Sequence, residues 1–184
     1  MNDFKSKLKL IFSALKFAAE KHREQKRKGS LRIPYINHPI EVAYYLCECC
    51  EDPDIDLIVA AILHDTIEDT DTDPEDIKNL FGEDILKLVE EVTDDKSLPK
   101  EVRKKLQIET GKKKSKKAKL IKIADKICNV TDLMKTPPTG WSLERKLKYL
   151  EWAEKVVNTM RGTNGCLEKI FDRKLKEAYN FYIT

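Results

Sequence analysis

Ala60-Ala61-Ile62-Leu63-His64-Asp65-Thr66-Ile67-Glu68-Asp69 joins a wholly apolar run to a cluster of five polar residues. Upstream, Ile55, Ile58, Val59 and Ile62 recur at i, i+3, i+4 and i+7, the spacing of one helix face, and Asp54 can cap that helix. One of only three histidines in the chain therefore sits beside an aspartate at the end of its most apolar segment. Buried charge is costly unless it is paired or bound to a metal. The pattern points to a metal-centred hydrolytic site carried on helices. Glu68 follows His64 by four residues, and Asp69 follows Asp65 by four. Whether the helix continues for one more turn or unwinds at Thr66, three carboxylates and an imidazole gather in one place. Without a cation they repel one another. A solvated acidic helix end is the plainer reading, and the apolar run feeding the pair weighs against it.

Helical periodicity extends in both directions, with no convincing alternating strand. A first helix is predicted from Asp3 to about Arg27, with Leu8, Phe12, Leu15 and Ala19 on one stripe. Gly29 and Ser30 break it, and Pro34 keeps the next stretch extended. Pro39 suits the first turn of a second helix ending near Cys50. Beyond the Asp54 helix, Asp73-Pro74 opens a short helix that Gly82 ends, another follows to about Val92, and Ser97-Leu98-Pro99 opens a sixth. Gly111 to Lys119 reads as a mobile lysine-rich loop feeding a helix from about Ser115 to Met134. A turn at Thr136-Pro137-Pro138-Thr139-Gly140 precedes a helix from Ser142 to about Arg161; Gly162 stops it, and a last helix follows. The expectation is a single all-α domain over residues 1–184, a globule of roughly eight to ten helices without repeat or linker.

Composition narrows the function. Hydrophobic residues make up 41% and charged residues 36%, and a net charge of +3 is too small to argue for a nucleic-acid binder. No apolar run approaches the roughly 20 residues of a membrane span, and the first residues lack a secretory cleavage pattern. The expected compartment is the cytoplasm. Five cysteines, an odd number, do not suggest a disulfide framework, so reduced thiols in or near a core are expected. Cys47, Cys49 and Cys50 lack the second ligand pair of a zinc finger.

A divalent ion wants more ligands than one His-Asp pair supplies. Tyr35-Ile36-Asn37-His38-Pro39 offers a second imidazole just before a helix start, although a capping or surface histidine reads equally well there. Asp125, Asn129 and Asp132 form a polar stripe opposite Leu120, Ile123, Ile127, Val130 and Met134. Periodicity cannot choose between solvent and an internal cleft for that stripe, and on that ground alone solvent is favoured. The run His22-Arg23-Glu24-Gln25-Lys26-Arg27-Lys28 can line an entrance for a phosphorylated substrate, or be a solvated helix end. Lys112 to Lys117 reads as solvated loop. No Gly-rich phosphate loop, Gly-x-Ser-x-Gly elbow or Cys-His pairing is evident.

His38, His64-Asp65 and Asp125, in that order, resemble the H…HD…D pattern of the HD superfamily of metal-dependent phosphohydrolases. Arg27-Lys28 with Pro34-Tyr35-Ile36-x-His38-Pro39, His64-Asp65-Thr66-Ile67-Glu68-Asp69, and Asp125-Lys126-Ile127-Cys128-Asn129 look like the hydrolase domain of the SpoT/RelA alarmone enzymes. Val92-Thr93-Asp94-Asp95-Lys96, Leu98-Pro99-Lys100, Gly140-Trp141-Ser142 and Gly162-Thr163-Asn164 are similar to the stand-alone metazoan type. Val130 departs from the leucine usual there, a packing change. The chain is too short for the synthetase and regulatory domains of the long enzymes.

The resemblance implies a Mn²⁺-dependent hydrolase that removes the 3′-pyrophosphate of ppGpp or pppGpp, with a small phosphorylated nucleotide as partner and neither nucleic acid nor membrane. It implies His38, His64, Asp65 and Asp125 as metal ligands and Glu68 and Asp69 as the acids that orient or activate water. Arg27 and Lys28 would meet substrate phosphate, and Tyr35 and Asn129 would line the pocket. Arg145 and Tyr149 fall where the family makes phosphate and nucleotide contacts, by a looser local match. It also turns the expectation for Asp125 from solvent to an internal site. Alternatives are an NADPH 2′-phosphatase or other nucleotide phosphohydrolase of the same fold, and an inactive nucleotide-sensing module. The sequence leaves oligomeric state open.

Overall fold

The stretch from Leu57 to Leu63 is apolar on every side, and a helix of that kind must be enclosed by others. The computed structural model, which describes residues 2–183, places it at the centre of ten helices. They are α1 (Asn2–Lys21), α2 (Asn37–Cys49), α3 (Ile55–Leu63), α4 (Thr66–Asp69), α5 (Pro74–Phe81), α6 (Glu83–Val92), α7 (Lys100–Gly111), α8 (Lys116–Lys135), α9 (Leu143–Asn158) and α10 (Gly165–Ile183). Helix α3 is buried from Leu57 to Leu63 and packs against α1, α2 and α6. Helix α8 is the second hub, meeting α2, α6, α9 and α10. No helix among the described residues is long and apolar enough to cross a membrane.

Short polar side chains start the helices where expected. Asp54, Asp73, Ser115 and Ser142 each accept a backbone N–H from the first turn of α3, α5, α8 and α9, each such cap being worth about 1 kcal/mol. The buried side chains form one hydrophobic cluster that includes Leu46, Ile62, Ile121, Leu150 and Phe171.

Three expectations need correction. First, α1 stops at Lys21 rather than Arg27, because the chain folds back on itself: Arg27 N–H donates to the Ile33 carbonyl at 2.8 Å and Tyr35 N–H to the Gln25 carbonyl at 3.0 Å. The buried face of α1 is also rotated. Ala14 and Ala18 are fully buried, while Leu8 and Phe12 are exposed. Two overlapping stripes share the helical period, and the one bearing small alanines allows close approach to α3.

Second, the lysine run is not a loop from Gly111 to Lys119. Helix α7 ends at Gly111 and α8 begins at Lys116, with one turn between them. Glu91 holds that turn, accepting the Ser115 N–H at 2.6 Å and hydroxyl at 2.7 Å, while its carbonyl accepts from Lys114 Nζ. Third, Cys49 and Cys166 form a disulfide joining the end of α2 to the start of α10, so these two thiols are not reduced. An odd cysteine count argues against a framework of bridges, not against a single one. Cys47, Cys50 and Cys128 remain free thiols.

Candidate metal centre and nucleotide pocket

The chain kinks after α3. Thr66 Oγ1 donates to the Leu63 carbonyl at 2.7 Å, and α4 starts at Thr66 after a two-residue break. The kink puts His64 and Asp65 at the helix junction, so that both can face one point. His64 is 4% exposed, and its Nδ1 lies 2.7 Å from the Ala61 carbonyl. A carbonyl only accepts, so Nδ1 carries the proton and Nε2 is left with a lone pair. That buried Nε2 has no hydrogen-bond partner and points at Asp65, 3.1 Å from its Oδ2. An outer partner on one ring nitrogen and a lone pair on the other is the usual arrangement of a metal-ligating histidine.

His38, in the first turn of α2 and 2% exposed, approaches from the other side. Its Nε2 is 3.6 Å from Asp65 Oδ2 and 3.2 Å from Asp125 Oδ1. Ligand atoms of His38, His64 and Asp65 lie within 4.8 Å of one another. Asp125, on α8, completes the group and is only 7% exposed, so the solvent-facing reading of its stripe is wrong. The stripe faces an internal cleft.

Burial alone favours neutral groups, but the neighbours decide here. Burial and then the Arg27 guanidinium hold the His38 pKa below the usual imidazole range. Burial opposes charge on His64 as well, yet the Asp65 carboxylate outweighs it and raises the His64 pKa. Burial pushes both aspartates up, and it is overcome by His64 at Asp65 and by Lys126 at Asp125, so both lie well below the ordinary carboxylate range. Ionised carboxylates and a neutral His38 are the forms that ligate metals. The raised His64 pKa reports how strongly this point attracts positive charge. An orphaned buried imidazole nitrogen amid two carboxylates and a second imidazole fits a divalent cation.

Glu68 and Asp69 stand beside this group on α4. Glu68 Oε2 accepts the Asp94 N–H at 3.0 Å, while Oε1 is 3.7 Å from Lys96 Nζ and 3.6 Å from Arg103 Nη1. Burial, and secondarily the Asp65 carboxylate, raise the Glu68 pKa above its usual value. Asp69 Oδ1 takes Lys96 Nζ at 2.5 Å. The Tyr35 hydroxyl donates to Asp65 Oδ2 at 2.6 Å and approaches Asp69 Oδ2 at 3.1 Å. Tyr35 therefore ties the acid pair to the histidine–aspartate cluster as well as lining the pocket. Its phenol is held protonated by burial and then by those two carboxylates.

The segment from Lys26 to Pro34 forms a strap across α8, with an isolated bridge between its ends. Arg27 donates from Nε to Asp132 Oδ2 at 2.8 Å and from Nη2 to Asn129 Oδ1 at 2.7 Å. Asn129 in turn donates to Asp125 Oδ1. Gly29 lets the strap lie down: a Cβ built there would come 2.3 Å from the Thr136 carbonyl oxygen and 2.7 Å from Thr136 Cβ. Gly29→Ala is expected to cost about 1–3 kcal/mol, as other forced overpacking does, and to lift Arg27 from its partners. Thermal unfolding should show the loss of stability, with a raised KM beside it.

The cluster opens into a cavity of about 350 Å³ lined by His38, Asp65, Glu68, Asp69 and Asp125, with Lys28, Arg145 and Tyr149 further out. An adjoining hollow of about 310 Å³ is walled by Arg27, Lys28, Tyr35, Asn129, Trp141 and Tyr149. Of the site residues that the resemblance names, all but His64 line one or both of these adjoining spaces. Sequence reading missed Lys96, Arg103, Lys122, Lys126 and Trp152, which also line the larger cavity. Lys96 lies in a quoted motif that said nothing of its partner Asp69, and Arg103 carries no local signal at all.

Residues 14–150 match the family model described as HD domain. The chain belongs to the HD-domain family. Within it, the chain is 50% identical over 163 residues, 89% of its length and 91% of the relative's, to guanosine-3′,5′-bis(diphosphate) 3′-pyrophosphohydrolase MESH1 of Xenopus tropicalis. The same enzyme of Drosophila melanogaster is 51% identical over 168 residues, covering 91% of this chain and 93% of that protein. A solved structure of a metazoan SpoT ortholog that hydrolyses ppGpp superposes with a TM-score of 0.88 at 48% identity, covering 91% of this chain and 94% of that one.

Proposed function

We propose that this protein is a Mn²⁺-dependent hydrolase that removes the 3′-pyrophosphate of ppGpp or pppGpp, giving GDP or GTP and pyrophosphate. The observation that carries the reading is the meeting of His38, His64, Asp65 and Asp125 at the wall of a cation-lined cavity. Relatives of nearly the same length, about half identical, bear the name of that activity. His38, His64, Asp65 and Asp125 would hold the ion. Mixed imidazole and carboxylate donors suit Mn²⁺ better than Mg²⁺. When bound, the ion supplies Lewis-acid polarisation of a phosphoryl oxygen.

The chain's own groups do the rest. Glu68 takes the proton of the attacking water on Oε1, the oxygen not engaged by the Asp94 amide; burial raises its pKa and so makes the carboxylate a stronger base than a free one. Asp69, fixed by Lys96 and Tyr35, orients that water. Arg27, Lys28 and Arg145 meet the phosphates and offset their charge, while Tyr35, Tyr149 and Asn129 line the nucleoside pocket. Residues 1–184 act as one phosphohydrolase domain; buried side chains of α1, α2, α3, α5, α6, α8, α9 and α10 share one core, against which Ile67 of α4 and Ile108 of α7 pack. The proposed location is the cytoplasm.

Incubation of the Mn²⁺-loaded protein with ppGpp, pppGpp and NADPH, followed by product identification, tests this directly. GDP, GTP and pyrophosphate are expected. Turnover of NADPH with neither guanosine compound touched would overturn the assignment.

A further inference from the structure

Beyond the metal-centred cavity, a groove of about 670 Å³ runs between α7 and α9. The two spaces adjoin, with Lys100, Lys104, Arg145 and Trp152 lining both. Two indoles organise their common wall. Lys100 Nζ and the Arg145 guanidinium lie 6.0 and 4.3 Å from the Trp141 ring centre. Lys104 and Lys126 lie 5.1 and 4.8 Å from that of Trp152. The Trp152 indole N–H donates to the Lys104 carbonyl at 3.0 Å, fixing the platform to α7.

The groove's other charges are largely paired off. Lys148 holds Glu144 at 2.6 Å and Lys105 holds Glu109 at 3.4 Å. Lys100, Lys104 and Arg145 form no salt bridge among the described residues, and Glu101 is the one carboxylate left in the groove. Three cations rest on aromatic faces with an anion-sized space before them. Burial, and then Arg145, Lys104 and Lys28, depress the Lys100 pKa, the mark of crowded positive charge that a polyanion would relieve.

Resting on the proposed hydrolase reading, we propose that this groove receives the 5′-phosphate chain of the substrate. Lys104 reads the terminal phosphate, so the enzyme favours the 5′-triphosphate pppGpp over the 5′-diphosphate ppGpp. With the 3′-pyrophosphate at the metal cluster and the nucleoside in the hollow by Tyr35, the α7–α9 groove is the cationic space that adjoins the larger cavity on its Lys100 and Arg145 side. Lys100 and Arg145 serve any 5′-phosphate; Lys104, further along α7, is reached by a longer chain.

The test compares kcat/KM for pppGpp, ppGpp and guanosine 3′-diphosphate, which has no 5′-phosphate, in the full-length protein and in Lys104→Gln and Lys104→Arg. The unchanged protein should favour pppGpp over ppGpp by about fivefold, the order expected of one partly exposed charge-assisted hydrogen bond. Lys104→Gln should bring that ratio close to one through KM, and Lys104→Arg should keep it. Equal use of both substrates by the unchanged protein overturns the inference. So does a ratio unmoved in Lys104→Gln, or an equal loss on guanosine 3′-diphosphate. Failure to hydrolyse any nucleoside 3′-pyrophosphate removes the hydrolase reading itself.

Discussion

Asp65→Ala is expected to bind Mn²⁺ at least ~100-fold more weakly than the unchanged chain and to hydrolyse ppGpp at background rate. Loss of an outer-shell partner alone typically costs about 10- to 100-fold in metal affinity, and Asp65 would be a direct ligand. Its Oδ2 is the point on which His38 Nε2, His64 Nε2 and the Tyr35 hydroxyl converge, at 3.6, 3.1 and 2.6 Å. Removing it takes away a ligand and the acceptor that orients the tyrosine together. Metal analysis of the purified variant beside its kinetics provides the check. An active variant free of metal would refute the metal-centred reading.

Glu68→Gln should behave in the opposite way towards metal. Glu68 lies outside the four-residue cluster, and its Oε2 is engaged by the Asp94 amide. Gln keeps an oxygen for that amide and loses the basicity of the other. Mn²⁺ content is therefore expected to stay near that of the unchanged chain, while kcat falls by about 10²- to 10⁴-fold, the usual worth of a general base. A variant that keeps most of its rate would remove Glu68 from proton transfer. One that loses its metal would make it a ligand instead.

Much of this site was legible because its parts lie on strongly periodic segments. The apolar run into His64-Asp65 announced a buried charge, and the buried charge demanded partners. His38 was ambiguous, since one imidazole before a helix start looks alike at a surface or in a core. Asp125 was misjudged by periodicity, because a helix packed on every side carries its polar stripe inward towards a cleft that only other segments create. Lys96, Arg103 and Trp152 had no signal because their importance comes from distant partners. Lys96 meets Asp69 across 27 residues, and Trp152 meets Lys104 across 48. The early end of α1 was hidden for a related reason: the hydrogen bonds that fold Arg27 and Tyr35 back are backbone bonds to Ile33 and Gln25. The Cys49–Cys166 bond joins ends of two helices 117 residues apart, a proximity no local pattern records.

Arg27 is the feature whose consequence reaches furthest. Its guanidinium already forks between Asn129 and Asp132. A phosphate bound there as proposed would displace one of these acceptors or be met by the N–H bonds left over. If displacement is the course taken, occupancy of the pocket and the grip of the strap on α8 become two readings of a single equilibrium, and the ligand would loosen the lip of its own entrance.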